Sequence, residues 1–321
     1  MMHGSSSPKN RTSVRSKTSV RLTKAALQAA YVVSEDLGTS LAERLFTSPR
    51  RHRRPDRERE VLARGWEFSL EVELRTPRWQ GELRRVQAWR WGHGPTVLLV
   101  HGWEGRGAQL GSFIEPLVRA GLSVVAFDAP GHGDSPGRRL YLTDLADCVI
   151  DVAHTVGPLH GIIAHSFGAA AVLLAHQRGN VDAKRNVMIA PSVLVGEAVA
   201  QFGRAVALDD RDCSTLAHQL ASHSGLGIEA LELERLVGAR DAALLVVHDQ
   251  GDREVPHHGA VALAAAWRQA QLRTTHGLGH RQILRNANVI EEAVAFLQHG
   301  VSPPASGLVR EVDRLLDAQG T

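Results

Sequence analysis

The sequence predicts an α/β fold, a mostly parallel, doubly wound sheet with a small helical cap inserted late in the chain. Three observations predict it. Short apolar runs alternate with segments of helical composition, the pattern of repeated strand–helix–strand units. Two of the runs, 96–100 and 122–127, are apolar almost throughout, as strands buried on both faces are. One interval, 193–238, is helix-prone and longer than a crossover needs.

The elements follow in order. Residues 1–21 are rich in Ser, Thr, Lys and Arg, hold no acidic residue and read as disordered. Residues 22–33 read as a short helix interrupted by Lys24, without the apolar core and cleavage site of a secretory signal. Arg50, Arg51, His52, Arg53 and Arg54 read as a solvated basic linker, with phosphate, nucleic acid or lipid headgroups as the alternative contact. From Trp66 the pattern becomes regular. Residues 66–76 alternate, with Phe68, Leu70, Val72 and Leu74 on one face, as an antiparallel strand does; 84–91 is a second such strand. Buried strands follow at 96–100, 122–127, 161–164, 186–190, 242–247 and 272–275, with helices near 108–120, 140–156, 167–178, 257–270 and 288–298. The tail 301–321 opens with Ser302-Pro303-Pro304 and offers a short amphipathic helix. The domain reading is a basic arm at 1–60, a core at 61–192 and 239–300, the cap at 193–238 and the tail at 301–321.

Composition narrows the class. At 321 residues, 43% hydrophobic and 22% charged, the chain suits one large soluble α/β domain with an insertion. No apolar run reaches the roughly 18 residues that span a bilayer. Cys148 and Cys213 stand far apart in no metal-ligand spacing, which suits a reducing, cytoplasmic setting. The net charge of +3 is uneven: residues 1–60 carry 13 Lys and Arg against 6 Asp and Glu, leaving about −4 elsewhere. The basic character belongs to the arm.

Three short stretches bear reactive side chains in the order Ser…Asp…His, each after an apolar run: Ala164-His165-Ser166-Phe167-Gly168, Gly251-Asp252 and Gly277-Leu278-Gly279-His280. That order suits a nucleophile, an orienting acid and a base. A strand turning sharply into a helix exposes the residue at the bend and demands small neighbours, here Ala164 and Gly168. The usual pattern has Gly at both places, so Ala164 is a departure. A similar stretch, Ser222-His223-Ser224-Gly225, follows no apolar strand and is set aside. Asp249 and Asp252 compete as the acid, and the Gly-Asp-x-x-Val-Pro context favours Asp252. Imidazole titrates close to neutrality, which suits His280 to take a serine proton. Asp128 to Ser135, with its glycines and proline, reads as a structural loop. His257, His258 and His276 show no metal-ligand pattern, and neither a metal nor a cofactor is expected.

With these residues in hand, the chain resembles the α/β-hydrolase superfamily, most of all the bacterial capped esterases, lysophospholipases and serine aminopeptidases. The resemblance covers about 85–300 and rests on His101-Gly102-Trp103, Gly131-His132-Gly133-x-Ser135, the bend at Ser166, and Gly251-Asp252-x-x-Val255-Pro256 with Gly279-His280. It implies a catalytic Ser166–His280–Asp252 triad and an oxyanion hole formed by the Trp103 and Phe167 N–H groups. The implied activity is hydrolysis of a carboxylic ester or thioester through an acyl-enzyme. The alternative is a non-catalytic ligand- or partner-binding protein on the same fold. Val193, Leu194, Val195, Val199, Phe202, Val206 and Leu208 read as an apolar acyl pocket, or as the face that buries the cap. The expected partner is a small ester-type substrate rather than a specific nucleic acid, with room for a weak contact between the basic arm and an anionic membrane. The oligomeric state is not legible in the sequence.

Overall fold

In the computed structural model, which describes residues 11–178, 181–238 and 241–299, eight strands form one sheet in the order β1-β2-β4-β3-β5-β6-β7-β8. The helix expected in 301–321 lies outside the described residues. Strands β1 (Trp66–Leu74) and β2 (Glu82–Trp91) pair antiparallel, and β2 pairs antiparallel with β4 (Ser123–Asp128). From β4 through β3 (Thr96–Val100), β5 (Leu159–His165), β6 (Ala183–Ile189), β7 (Ala243–Asp249) and β8 (Ala270–Thr275) every pairing is parallel. β3 lies between β4 and β5, so the chain reverses its winding direction there. A crevice opens at such a point beyond the carboxyl ends of the strands.

The period-two alternation of each strand divides the core. On one face Val72, Val86, Leu98, Val100, Val125 and Phe127 pack under α5 (Leu142–Val156) and α6 (Phe167–Arg178). On the other, Val97, Leu99, Val124, Ile163, Val187 and Leu245 meet α4 (Ile114–Arg119) and α12 (Ala287–His299). Burying each such side chain contributes about 1.5–3 kcal/mol. The helix expected over 108–120 is a 3₁₀ turn, Gly107–Phe113, leading into α4. Tight packing sets that turn: a Cβ on Gly107 would lie 2.9 Å from the Phe127 carbonyl oxygen.

The N-terminal region differs most from expectation. α1 (Arg11–Val33) begins ahead of the apolar stretch, so 11–21 are helical where composition reads as disorder. α2 (Glu35–Phe46) follows at once, capped by Ser34, whose Oγ accepts the Leu37 N–H at 3.0 Å. The helices α7 (Val195–Val206) and α8 (Asp210–Ser224) of the 193–238 insertion supply the anchor. Leu27 of α1 and Ala42 of α2 are fully buried against Val199, Val206 and Leu216, with Tyr31, Phe46 and Phe202 around them. Once one turn is anchored, each further helical residue adds a hydrogen bond at little nucleation cost. Buried Glu43 completes the join, accepting hydrogen bonds from Tyr141 of the core and from Gln219 and His223 of α8. A short α3 (Asp56–Ala63), which the sequence reading missed, buries Leu62 and leads into β1; α9 (Leu233–Val237) closes the insertion. Among the described residues no helix is long and apolar enough to cross a membrane.

Candidate active site

β5 ends at His165 and α6 starts at Phe167, so Ser166 alone makes the bend, with φ at +53°. A non-glycine residue there is strained and must be held by its surroundings. Ser166 N–H donates to the Ile189 carbonyl at 3.0 Å, and its own carbonyl accepts Ala169 N–H at 3.0 Å and Ser192 N–H at 3.1 Å. Gly168 is required because a Cβ there would sit 2.5 Å from the His101 carbonyl oxygen. Ala164 is accommodated: it pairs with Val100 and Met188 in the neighbouring strands and is fully buried without displacing them.

The loop after β3 runs against this bend. A Cβ on Gly102 would lie 2.9 Å from Ser166 Cβ. The N–H groups of Trp103 and Phe167 have no acceptor among the described residues, and their rings meet edge-on at 5.6 Å.

β7 and β8 deliver the other side chains. His280 lies in a one-turn helix, α11 (Gly279–Gln282), and Gly277 and Gly279 before it take φ of +76° and +60°. Its Nδ1 lies 2.7 Å from Asp252 Oδ2 and its Nε2 3.0 Å from Ser166 Oγ. A carboxylate only accepts, so Nδ1 carries the proton and the Nε2 lone pair faces the serine hydroxyl. Asp252 Oδ1 accepts the N–H groups of Glu254 and Val255 at 2.8 and 3.0 Å. Burial raises the Asp252 pKa, but hydrogen bonds from His248 and His280 outweigh it and hold the carboxyl far below the ordinary carboxylate range. Asp249 ties loops together instead, accepting from Gly251 N–H, Thr275 Oγ1 and Leu278 N–H.

The structure adds side chains that the sequence reading did not single out. His248 is fully buried, with Nε2 3.3 Å from Asp252 Oδ2 and 3.1 Å from the Val255 carbonyl. Its position four residues before Asp252, at the end of the same apolar run, was the available signal. His165 donates from Nε2 to the His280 carbonyl at 3.0 Å, the rings 4.7 Å apart. Burial, with the nearby His280 ring, lowers the His165 pKa to about 3, so it stays neutral.

Asp128 to Ser135 is built as structure. Asp128 accepts from the N–H groups of Gly107 and Asp134, both at 2.8 Å, while Ser135 Oγ donates to the Asp128 carbonyl and accepts Gln87 N–H. His257 meets Thr274 Oγ1, and His258 meets Glu197. Among the described residues no cluster of His, Cys, Asp and Glu could hold a metal.

Two readings need refinement. Residues 50–53 are exposed, as a solvated linker is, and Arg54 is half-buried, but the segment is not free of the body of the fold. Arg50 and His52 pair with Glu104 at 2.9 and 3.1 Å, and Arg54 with Asp134 and Asp128 at 2.6 and 3.1 Å. Arg51 donates to the carbonyls of Gly133, Ser135 and Gly137. The partners lie some fifty to ninety residues away, where no local pattern reveals them. Nor do the apolar residues of the insertion line one acyl pocket. Val199, Phe202, Val206 and Leu208 pack against the N-terminal helices, while Val193 and Leu194 line a groove of about 180 Å³ with Ser192, Asp252 and Val255.

Known proteins give an independent comparison. Residues 93–226 match the family model described as serine aminopeptidase S33, and 199–308 the model described as TAP-like protein. The pimeloyl-[acyl-carrier protein] methyl ester esterase of Xanthomonas campestris pv. campestris is 28% identical over 242 residues, covering 63% of this chain and 94% of that protein. The monoacylglycerol lipase of Mycolicibacterium smegmatis is 27% identical over 224 residues, covering 57% and 80%. Among solved structures, Est1E from Butyrivibrio proteoclasticus with ferulic acid bound superposes with a TM-score of 0.54 at 17% identity, covering 71% of this chain and 98% of that one. The last likeness is one of fold. Sheet order, family models and sequence relatives agree, and the chain belongs to the α/β-hydrolase superfamily.

Proposed function

We propose that this protein is a serine hydrolase cleaving a carboxylic ester through an acyl-enzyme on Ser166. Carboxylic ester hydrolysis is the activity its relatives' names carry, from the methyl ester esterase to the monoacylglycerol lipase. One observation supports the mechanism above all. The hydrogen bonds Asp252–His280–Ser166 form one unbroken relay, 2.7 and 3.0 Å long, ending on a serine at a strained bend.

In this reading Ser166 Oγ attacks the acyl carbon as His280 Nε2 takes its proton. Asp252 stays ionised and stabilises the imidazolium. The tetrahedral oxyanion is met by the N–H groups of Trp103 and Phe167, each such donor being worth roughly 3–4 kcal/mol. The C–O bond to the alcohol breaks, and His280 Nε2–H protonates the departing oxygen. Water then attacks the acyl-enzyme, His280 takes its proton, and acid and free Ser166 result. The groove beside Asp252 mixes apolar Val193, Leu194 and Val255 with charged Glu197, Arg204 and Arg253, so it does not by itself favour an apolar acyl group. A thioester fits the same chemistry. Cys148, buried, and Cys213, half-buried, are free thiols, which supports a cytoplasmic setting.

The test is a panel of esters and thioesters of graded acyl length, run on wild type and Ser166→Ala. Hydrolysis that the substitution abolishes supports the reading. A folded wild type that binds ligands of this class but turns over none of the panel points to the non-catalytic alternative.

A further inference from the structure

We propose that Arg50 and His52 of the N-terminal segment are positioning residues of the oxyanion loop, acting on Trp103 through Glu104. The proposal rests on the reading of Ser166 and Trp103 given above.

Gly102, Trp103, Glu104 and Gly105 form a tight turn, closed by the Gly105 N–H donating to the Gly102 carbonyl at 3.0 Å. Glu104 is its third residue and has φ of +53°. A turn of this kind reserves that place for glycine, because any Cβ there is strained. Here a glutamate occupies it, directly after the proposed oxyanion donor. Its side chain accounts for its presence. Arg50 donates to Oε1 from Nε at 2.9 Å and from its backbone N–H at 3.3 Å, and His52 Nε2 lies 3.1 Å from Oε2. The Glu104 backbone is held as well, its N–H donating to His132 Nε2 at 3.2 Å. The His132 ring packs edge-on with Trp103, centroids 5.5 Å apart, and the Phe167 ring does so at 5.6 Å.

The segment that carries Arg50 and His52 is itself fixed. The Thr47 carbonyl accepts Leu140 N–H at 2.9 Å, and Thr47 Oγ1 accepts Arg139 Nε at 2.9 Å. Arg51 and Arg54 fasten it to the loop after β4 through Gly133, Asp134, Ser135 and Gly137. The segment thus reaches from an anchored stretch over to a strained residue whose neighbour, Trp103, carries the proposed oxyanion N–H. Exposed ion pairs add little to global stability. Their effect here is on geometry, to which an oxyanion hole is sensitive: a misplacement of about 1 Å can cost about a hundredfold in rate.

Glu104→Gly separates positioning from folding, because it relieves the backbone strain while removing the anchor. The expected result is a melting temperature no lower than wild type, kcat lower by about tenfold to a hundredfold, and KM within about twofold. Affinity for a trifluoromethyl ketone, which mimics the tetrahedral intermediate, should fall in parallel with kcat. Glu104→Gln keeps part of the anchor and should fall between the two. The Arg50→Ala/His52→Ala double variant should reproduce the loss, and adding Glu104→Gly to it should cost nothing further, since all three act through one contact. Wild-type kcat in Glu104→Gly, or losses that add, would overturn the proposal. Full turnover in Ser166→Ala would instead overturn the reading it rests on.

Discussion

Asp252 and His280 are joined by a 2.7 Å hydrogen bond from Nδ1 to Oδ2, and that bond distinguishes Asp252, in the loop after β7, from Asp249 at the strand's end. Asp249 spends its oxygens on the N–H groups of Gly251 and Leu278 and on the Thr275 hydroxyl. Asp252→Asn presents an amide where His280 needs an acceptor and favours the wrong tautomer. It should lower kcat by about 10⁴-fold and also lower the melting temperature, because the buried carboxylate accepts from His248, Glu254 and Val255 as well. Asp249→Asn should act mainly on stability, by loosening the loops after β7 and β8. Steady-state kinetics and thermal melts of the pair check this, and a greater kinetic loss from Asp249→Asn would reverse the assignment.

Gly168 packs on the backbone of Val100 and His101, which leads into the proposed oxyanion loop. Gly168→Ala would press a methyl group to 2.5 Å from the His101 carbonyl oxygen, a contact that only backbone movement can relieve. The expected cost is about 1–3 kcal/mol of stability, together with a fall in turnover as β3's loop and α6 separate. Denaturant melts and kinetics on the same preparation test it.

Acid should destabilise the fold from about pH 6.5 downward, through buried imidazoles. Burial lowers the pKa of His101 to about 4, and of His132 and His165 to about 3. In the unfolded chain each takes up its proton near pH 6.5, so below that pH the unfolded state binds more protons. Their stability is fully present above about pH 6.5 and is lost as pH falls toward 3–4, at up to about 1.4 kcal/mol per pH unit for each. Asp144, raised to about 6 by burial, opposes them, because below that value it is protonated first in the folded state. Asp128 and Asp147, also raised by burial, oppose them too. The three imidazoles lose stability from about pH 6.5 downward and set the sign, so the melting temperature should drop between pH 7 and pH 5. A flat or rising profile would contradict this.

The arm divides at its anchors. Removing residues 1–21 leaves Leu27 in its cluster and Arg50 on Glu104, so turnover of a short soluble ester should match wild type. Any loss should appear as weaker, salt-sensitive binding to anionic vesicles, about 1 kcal/mol for each cation near the headgroups. Sedimentation with vesicles and kinetics on the two forms separate these effects.

The strands were legible because 96–100 and 122–127 are apolar almost throughout, and the Ser166, Asp252 and His280 positions because each stands in a short stretch at the end of such a run. The outer structure was not. The burial of Leu27 depends on Val199 and Leu216, far along the chain, and no periodicity within 11–33 indicates them. Arg50, Arg51, His52 and Arg54 read the same from composition whether or not they reach Glu104, Asp134 and nearby carbonyls, so the sequence gave no warning of those contacts. Cap residues such as Phe202 are apolar in either role, and only their packing against Phe46 shows which one they take.

The most direct measurement is labelling with a fluorophosphonate probe, followed by mass mapping of the modified peptide. The account predicts a single adduct on Ser166, formed quickly in wild type, much more slowly in His280→Ala and not at all in Ser166→Ala. An adduct on any other residue, or rapid labelling that survives in Ser166→Ala, would contradict it.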